Sequence, residues 1–381
     1  MAGYVINLDS ESSLIMYIQN GIYATKLSVP NGQWRTHHEG TFADYATMKP
    51  GDNIYFFIGR KIYGIGVLTE IAGDCKFLNY PDANKPLNLD YDQVKNYLLW
   101  DEGQESVNQR WICVFRPSPY FFTSGIDMDD VLSSNPQQFR MLRAFWKVSF
   151  IKIDDDENQA LMDVILRTNQ NALQNPAGEI FSSDYQSCHN KIATKILTGS
   201  YHFRVKEILL NCAEGSQLRH EMALEAGLLY QLSVKEQNTV SIFSAWDYLS
   251  HQVIASPFKP IDYMDRMDVF GYSYIQGFNN TKSRFLVAEL KKDGATTGDV
   301  DQLMKYVDWV KDEYSYGDYS MIHAFLVAFD FPTDVIDYAR KMGERKYIIG
   351  RRPARSGIWA NMKLVRYSFN RTTGLIEFYE V

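Results

Sequence analysis

The sequence predicts an α+β protein in two parts: a β-rich domain over residues 1–153 and a mixed α/β domain over 201–381, joined by a helical connector over 154–200. Three observations predict this. Up to about residue 150, apolar runs of strand length are closed by Gly and Pro. Beyond residue 200, segments of helical and strand period take turns, the pattern of a sheet covered by helices. Between the two, Asp154-Asp155-Asp156-Glu157 opens a polar stretch rich in Asn and Gln, the composition of a boundary. A chain of 381 residues is long enough for two cores.

In the first part, GYVINL reads as an opening strand, and residues 50–71, PGDNIYFFIGRKIYGIGVLTEI, read as a hairpin. Its strands are 53–58 and 62–68, with Gly59-Arg60-Lys61 as the turn. The spacing of Val94, Tyr97, Leu98 and Trp100 suits a short helix. RWICVFR (110–116) is a third apolar run, closed by Pro117 and Pro119, and 145–153 is a further strand. The connector holds one helical stretch, 159–167. In the second part, helices are expected over 217–232, 300–314 and 333–342. Strands are expected over 266–272, 283–290, 320–329, 364–369 and 375–379, the last two flanking the turn NRTTG. There is no internal repeat and no low-complexity tract.

Composition narrows the class. With 45% hydrophobic and 14% aromatic residues the chain can pack cores, which argues against global disorder. A net charge of −7 excludes a positively coated protein but not a local basic surface for phosphates. Cys75, Cys113, Cys188 and Cys212 form no CxxC pair, so neither a zinc signature nor a disulfide framework is expected, and Cys188-His189 reads as incidental. The start MAGYVINLDS is not a secretion signal, and no apolar stretch approaches the roughly 20 residues of a membrane helix. The expectation is a cytoplasmic protein with no membrane partner.

The chemistry-bearing stretch is 265–310. Strand side chains alternate, so Glu289 and Lys291 project from one face of their strand. If Asp268 lies on the adjacent strand, two carboxylates and an ammonium converge. Phosphodiester cleavage needs that combination: paired carboxylates hold a hard divalent cation, and a lysine positions or helps deprotonate water and offsets negative charge. A Glu-x-Lys triplet alone arises about once by chance in a chain this long. The signal rises because Glu289 follows an apolar strand, Asp268 lies in a second one, and Gln302 and Tyr306 stand one helical turn apart. Asp262 and Asp265 compete for the aspartate position, where Asp268 fits the strand pattern best. On the helix HEMALEAGLLYQL, Glu221 and Glu225 share a face, with Glu225 slightly favoured. His220 and His251 have no evident partner and read as structural.

The segments RMDVFG, FLVAELKK and DQLMKYVDWV resemble the core of the PD-(D/E)xK nuclease superfamily, and its RecB-like and NucS-like branch in particular. The resemblance covers roughly 217–330. It implies a restriction-endonuclease-like α/β domain in which Asp268 and Glu289 hold Mg²⁺ or Mn²⁺, Lys291 is the catalytic lysine, Gln302 and Tyr306 help position the site, and Glu225 adds a further carboxylate. One departure is the longer hairpin between Asp268 and Glu289. Basic residues cluster at Arg345, Lys346, Arg351, Arg352 and Arg355, where GRRPARSG reads as a flexible loop and a phosphate-contact surface.

Gly51-Asp52-Asn53-Ile54-Tyr55-Phe56 and Gly64-Ile65-Gly66 resemble the PUA-like group that includes EVE and YTH domains. That resemblance implies a small β-barrel reading a flipped or modified base, with Trp34, Tyr55, Trp100 and Trp111 as expected pocket walls. The combined expectation is a Mg²⁺-dependent DNA endonuclease of restriction or defence type acting on modified DNA. The rivals are a NucS-like repair nuclease for mismatched or branched DNA and an inactive nucleic-acid-binding protein. Double-strand cutting with one site per chain would call for a homodimer.

Overall fold

The computed structural model describes residues 1–118, 125–145, 148–171, 184–256 and 264–381. Pro119, Asp262 and part of the 145–153 segment lie outside the described residues, as does the side chain of Arg351. The chain divides into two compact units, one formed by Met1–Trp34 with Met48–Arg204, the other by Arg35–Thr47 with Val205–Val381. The division differs from the expected boundary at 153/154 in two ways: the connector belongs to the first unit, and a segment of the amino-terminal region belongs to the second.

The chain begins β1 (Gly3–Asn7), α1 (Glu11–Asn20), β2 (Ile22–Lys26), α2 (Thr36–Ala46), β3 (Asn53–Ile58), β4 (Lys61–Leu68) and β5 (Lys76–Leu78). It continues with β6 (Gln109–Pro117), β7 (Ile126–Asp127), β8 (Phe150–Ile153), α3 (Asp155–Thr168) and α4 (Tyr185–Ile196). In the first unit the strand order is β2-β6-β4-β3-β1-β8, with β5 added to β6 and β7 to β4. The expected closed barrel is instead a sheet whose order leaves β2 and β8 as edges among the described residues. It curls far enough that Tyr23 of β2 and Phe150 of β8 bring their rings to 6.4 Å. The β3–β4 hairpin forms as expected. Gly59 and Arg60 both take positive φ, 53° and 69°, as a two-residue turn matched to strand twist requires, and Lys61 already pairs with Ile58.

The acidic run is no solvated boundary. It is the first turn of α3, where Asp154 caps by accepting from the Glu157 N–H at 2.9 Å and negative charge complements the helix dipole. Leu161, Val164 and Ile165 of α3 join Val5, Tyr55 and Ile62 in one core, so burial fastens the supposed connector to the sheet. In α4, His189 Nε2 lies 2.9 Å from the Gly21 carbonyl, a structural contact as expected for Cys188-His189.

The second unit carries α5 (Val205–Cys212), α6 (Glu221–Ser233), α7 (Gln237–Phe243), β9 (Tyr248–Ile254), β10 (Arg266–Ile275) and β11 (Phe278–Gly294). It ends with α8 (Thr297–Glu313), β12 (Ile322–Asp330), α9 (Thr333–Met342), β13 (Arg345–Arg351), β14 (Ala354–Trp359), β15 (Met362–Asn370) and β16 (Leu375–Glu380). A six-stranded sheet runs β9-β10-β11-β12-β15-β16, and its β11/β12 and β12/β15 pairs are parallel. The long hairpin between Asp268 and Glu289 is simply an extension of β10 and β11, which stay paired almost to Gly277. Helix α6 starts at Glu221 rather than 217 because Gln217–Leu218 pairs with Ala213–Glu214 and His220 is an extended cap. A helix apolar on all sides is a buried one, and α6 buries Ala223 through Leu229. At Gly227 a Cβ would run into Ile376 of β16. Alongside lies α2, with Phe42 and Tyr230 rings 6.1 Å apart. GRRPARSG is not an irregular loop: β13 and β14 form a separate two-stranded ribbon.

Candidate active site

Strand β11 enters the core through Phe285–Leu290, all fully buried. Across the ladder Val269 faces Ala288, which brings Asp268 level with Glu289. Asp268 Oδ2 accepts the Leu290 N–H at 2.8 Å. Helix α6 supplies Glu225, 2% exposed, whose two oxygens accept from Gln252 Nε2 at 3.0 and 3.1 Å. The same amide donates to Asp268 Oδ1 at 3.2 Å, tying the two carboxylates together. From α8, Gln302 Nε2 donates to the hydroxyl of buried Tyr306 at 2.8 Å. His251 Nε2 lies 3.1 Å from Asp44 Oδ1 of α2, and its Nδ1 lies 3.4 Å from Glu225 Oε2.

These carboxylates crowd one another out of water. Burial, then Glu225 and Glu289, hold the Asp268 carboxyl well above its ordinary range. Burial pushes Glu289 up to about 7, although Lys291 opposes it. The Lys291 ammonium lies 2.8 Å from Glu289 Oε1 and 3.8 Å from Asp299 Oδ1. Burial works against that charge, but Glu289 outweighs it and holds the lysine above its ordinary value. Lys291 thus sits as a cation against Glu289. Burial, then Glu289, raises the Tyr306 phenol, so it too keeps its proton. At His251 burial works to lower the imidazole, but Asp44 and Glu225 hold it up to about 10.

The fit to a cation rests on Glu289. It is fully buried, Lys291 meets its Oε1 at 2.8 Å, and no backbone N–H satisfies either oxygen. A buried carboxylate left so is costly unless positive charge meets it. All three acids offer hard oxygen donors, which suit Mg²⁺ or Mn²⁺, and Mg²⁺ needs only one or two carboxylates while keeping several waters. A second acidic set, Asp154, Asp155 and Asp156, brings one oxygen from each within 4.8 Å of the others. It is accounted for by the start of α3.

Asp268, Glu289, Lys291, Glu225, Tyr306 and Gln302 thus meet in one place. Asp265 is exposed just before β10, and Glu221 is only half-buried at the first turn of α6. The aromatic pocket does not form. Trp34, Tyr55, Trp100 and Trp111 are 0–9% exposed and packed as core. Trp34 and Trp111 lie against each other at 5.8 Å, and the Tyr55 hydroxyl donates to Asn158 at 2.8 Å. Arg345 is turned inward to Asp308 at 2.9 Å, so it is no free phosphate contact, whereas Lys346, Arg352 and Arg355 are exposed on the ribbon. Sequence reasoning missed Gln252 and Asp44 and set His251 aside. The strand that carries His251 and Gln252 was not among the expected ones, and nothing in the sequence linked Asp44 to it.

No family model and no curated protein matches this chain. Among solved structures it is similar to one described as an EndoMS–double-stranded DNA complex, at 26% identity over 20% of this chain and 28% of that one, TM-score 0.16. A repair endonuclease from Pyrococcus abyssi is similar at 23% identity over 34% of this chain and 46% of that one, TM-score 0.21. A hypothetical protein from Leishmania major is similar at 12% identity over 45% of this chain and 97% of that one, TM-score 0.28. The chain thus spans less than half the length of the first two. Its own side chains have to carry the functional reading. No helix among the described residues is long and apolar enough to cross a membrane.

Proposed function

We propose that the second unit is a metal-dependent DNA endonuclease of PD-(D/E)xK type. The observation that carries this reading is Glu289: a fully buried carboxylate with no backbone donor, level with Asp268 and met by Lys291 at 2.8 Å. Asp268 and Glu289 would hold Mg²⁺ or Mn²⁺ through oxygen, with Glu225 completing the acidic wall. Such an ion, when bound, lowers the pKa of a water and stabilises charge on a phosphate. Lys291 supplies a fixed positive charge toward the phosphate as its ester bond breaks. Gln302 and Tyr306 close one side of the site through their mutual hydrogen bond. Lys346, Arg352 and Arg355, exposed and without an acidic residue between positions 345 and 359, would contact backbone phosphates.

Incubation with supercoiled plasmid and Mg²⁺ tests this, with Lys291→Ala as the control. Metal-dependent cutting by the wild type that the variant loses is the expected result. Binding of DNA without cutting in any metal would leave a binding protein with a nuclease fold. A defence enzyme for modified DNA and a repair enzyme for mismatched or branched DNA separate on a panel of unmodified, methylated, hydroxymethylated, mismatched and branched duplexes. Nicked or linear product, read with sedimentation in the presence of DNA, shows whether two chains act together.

A further inference from the structure

We infer that His251 and Asp44 form a positioning pair that fixes the Glu225 carboxylate; the inference rests on the nuclease reading of the site. The backbone of β9 makes the case. Consecutive strand residues point to opposite faces, yet His251 and its neighbour Gln252 both reach Glu225, at 3.4 Å from Oε2 and 3.0 Å from Oε1. They can do so because Gln252 takes a left-handed φ of 51°, a conformation unfavourable for a side chain of its kind. A strained residue of this sort persists only when its surroundings hold it, and such residues gather at functional sites.

Glu225 is therefore hydrogen-bonded on one side by Gln252 and faced on the other by the His251 ring. Gln252 joins it to Asp268, and His251 joins it to Asp44. In this buried setting Nε2 is hydrogen-bonded to Asp44, which sets the ring's orientation and leaves Nδ1 at ion-pair distance, 3.4 Å, from Glu225. Asp44 comes from α2, a helix whose sequence lies 181 residues before Glu225 (225 − 44) and which belongs to this unit. Its buried carboxylate, 8% exposed between Ala43 and Tyr45, meets His251 Nε2 at 3.1 Å. Outer partners of this kind hold the groups that hold a metal, and losing one costs about 10- to 100-fold in affinity or activity.

Two replacements separate the two contacts in the full-length protein. His251→Asn keeps an amide near the place of Nδ1, toward Glu225. His251→Gln keeps one near the place of Nε2, toward Asp44. Mn²⁺ binding by calorimetry and steady-state cutting are measured on both, with melting temperature alongside. The expected result is a loss of about tenfold or more in Mn²⁺ affinity for His251→Gln, a smaller loss for His251→Asn, kcat falling in the same order, and KM for DNA unchanged. Mn²⁺ binding within twofold of wild type in His251→Gln would overturn the pair. So would losses that track melting temperature instead of the Asn/Gln order. A wild type that binds Mn²⁺ but cuts no DNA defeats the nuclease reading alone, and the calorimetric order still decides for or against the pair. A wild type that binds no Mn²⁺ defeats both.

Discussion

Glu157 in the first unit and Glu289 in the second are both buried, and the two are treated in opposite ways. Glu157, 1% exposed at the start of α3, accepts the Leu142 N–H at 2.7 Å and the Met141 N–H at 3.1 Å, one on each oxygen. Glu289, fully buried in the middle of β11, is met by a lysine at 2.8 Å and by no backbone N–H. Burial is the leading cause of the raised pKa in both, up to about 8 for Glu157 and about 7 for Glu289. What separates them is where the compensation comes from. Glu157 is satisfied by backbone that folding itself delivers, so it belongs to the fold. Glu289 is met by a side-chain charge, Lys291, instead of by backbone, which is the feature the proposed metal site uses.

The largest expected consequence of this difference is in catalysis. Glu289→Gln keeps the shape and removes the anion, and metal-dependent cutting should fall about 10³-fold. Glu157→Gln should cut at the wild-type rate per folded molecule. A plasmid assay on both variants checks the contrast, and equal losses would erase it. Next in size is a stability effect with the opposite assignment. Glu157→Ala strips two buried N–H groups of their acceptors and should cost about 2–4 kcal/mol in chemical denaturation. Glu289→Gln in chelator, by contrast, removes a buried charge and the partner of Lys291 together, and should change stability by less than about 1 kcal/mol. A larger loss for Glu289→Gln in chelator would mean that its charge is already compensated by the protein alone.

How much of this the sequence allowed depends on whether the determinant was local. Strand alternation sufficed to place Glu289 and Lys291 on one face, and the apolar context of Asp268 picked it over exposed Asp265. The NRTTG turn and the Gly59-Arg60 hairpin were readable because turn chemistry is written in two to five neighbouring residues. Long-range partners were not readable. Nothing around Asp44 announces that its helix packs beside α6, and a left-handed Gln252 cannot be told from a strand residue by type. The acidic run misled for a related reason: four carboxylates suggest a solvated linker unless one knows that Leu161, Val164 and Ile165 behind them are buried. The aromatic pocket failed because residue type does not distinguish a ring that stacks on a ligand from one that fills a core. The ribbon was misread because Gly, Pro and Arg at its tip hide the pairing of Lys346 with Ile358 and Ile348 with Ser356.

The smallest expected effect is in the pH dependence of stability, and it probes Glu157 alone. The unfolded chain releases this proton near the ordinary glutamate value of 4.5, the folded protein near 8. Between those values the folded state holds the extra proton, so this residue's contribution to stability is full at low pH and is lost as pH rises through the window. The slope cannot exceed about 1.4 kcal/mol per pH unit, because only one proton is involved. Other groups tilt the measured curve as well, so the test is a difference: denaturation of wild type minus that of Glu157→Gln, taken from pH 5 to pH 8 in chelator. That difference should decline steadily with pH and level off beyond 8. A flat difference would mean that the two backbone N–H groups already hold Glu157 ionised, and would remove burial as the cause of its raised pKa.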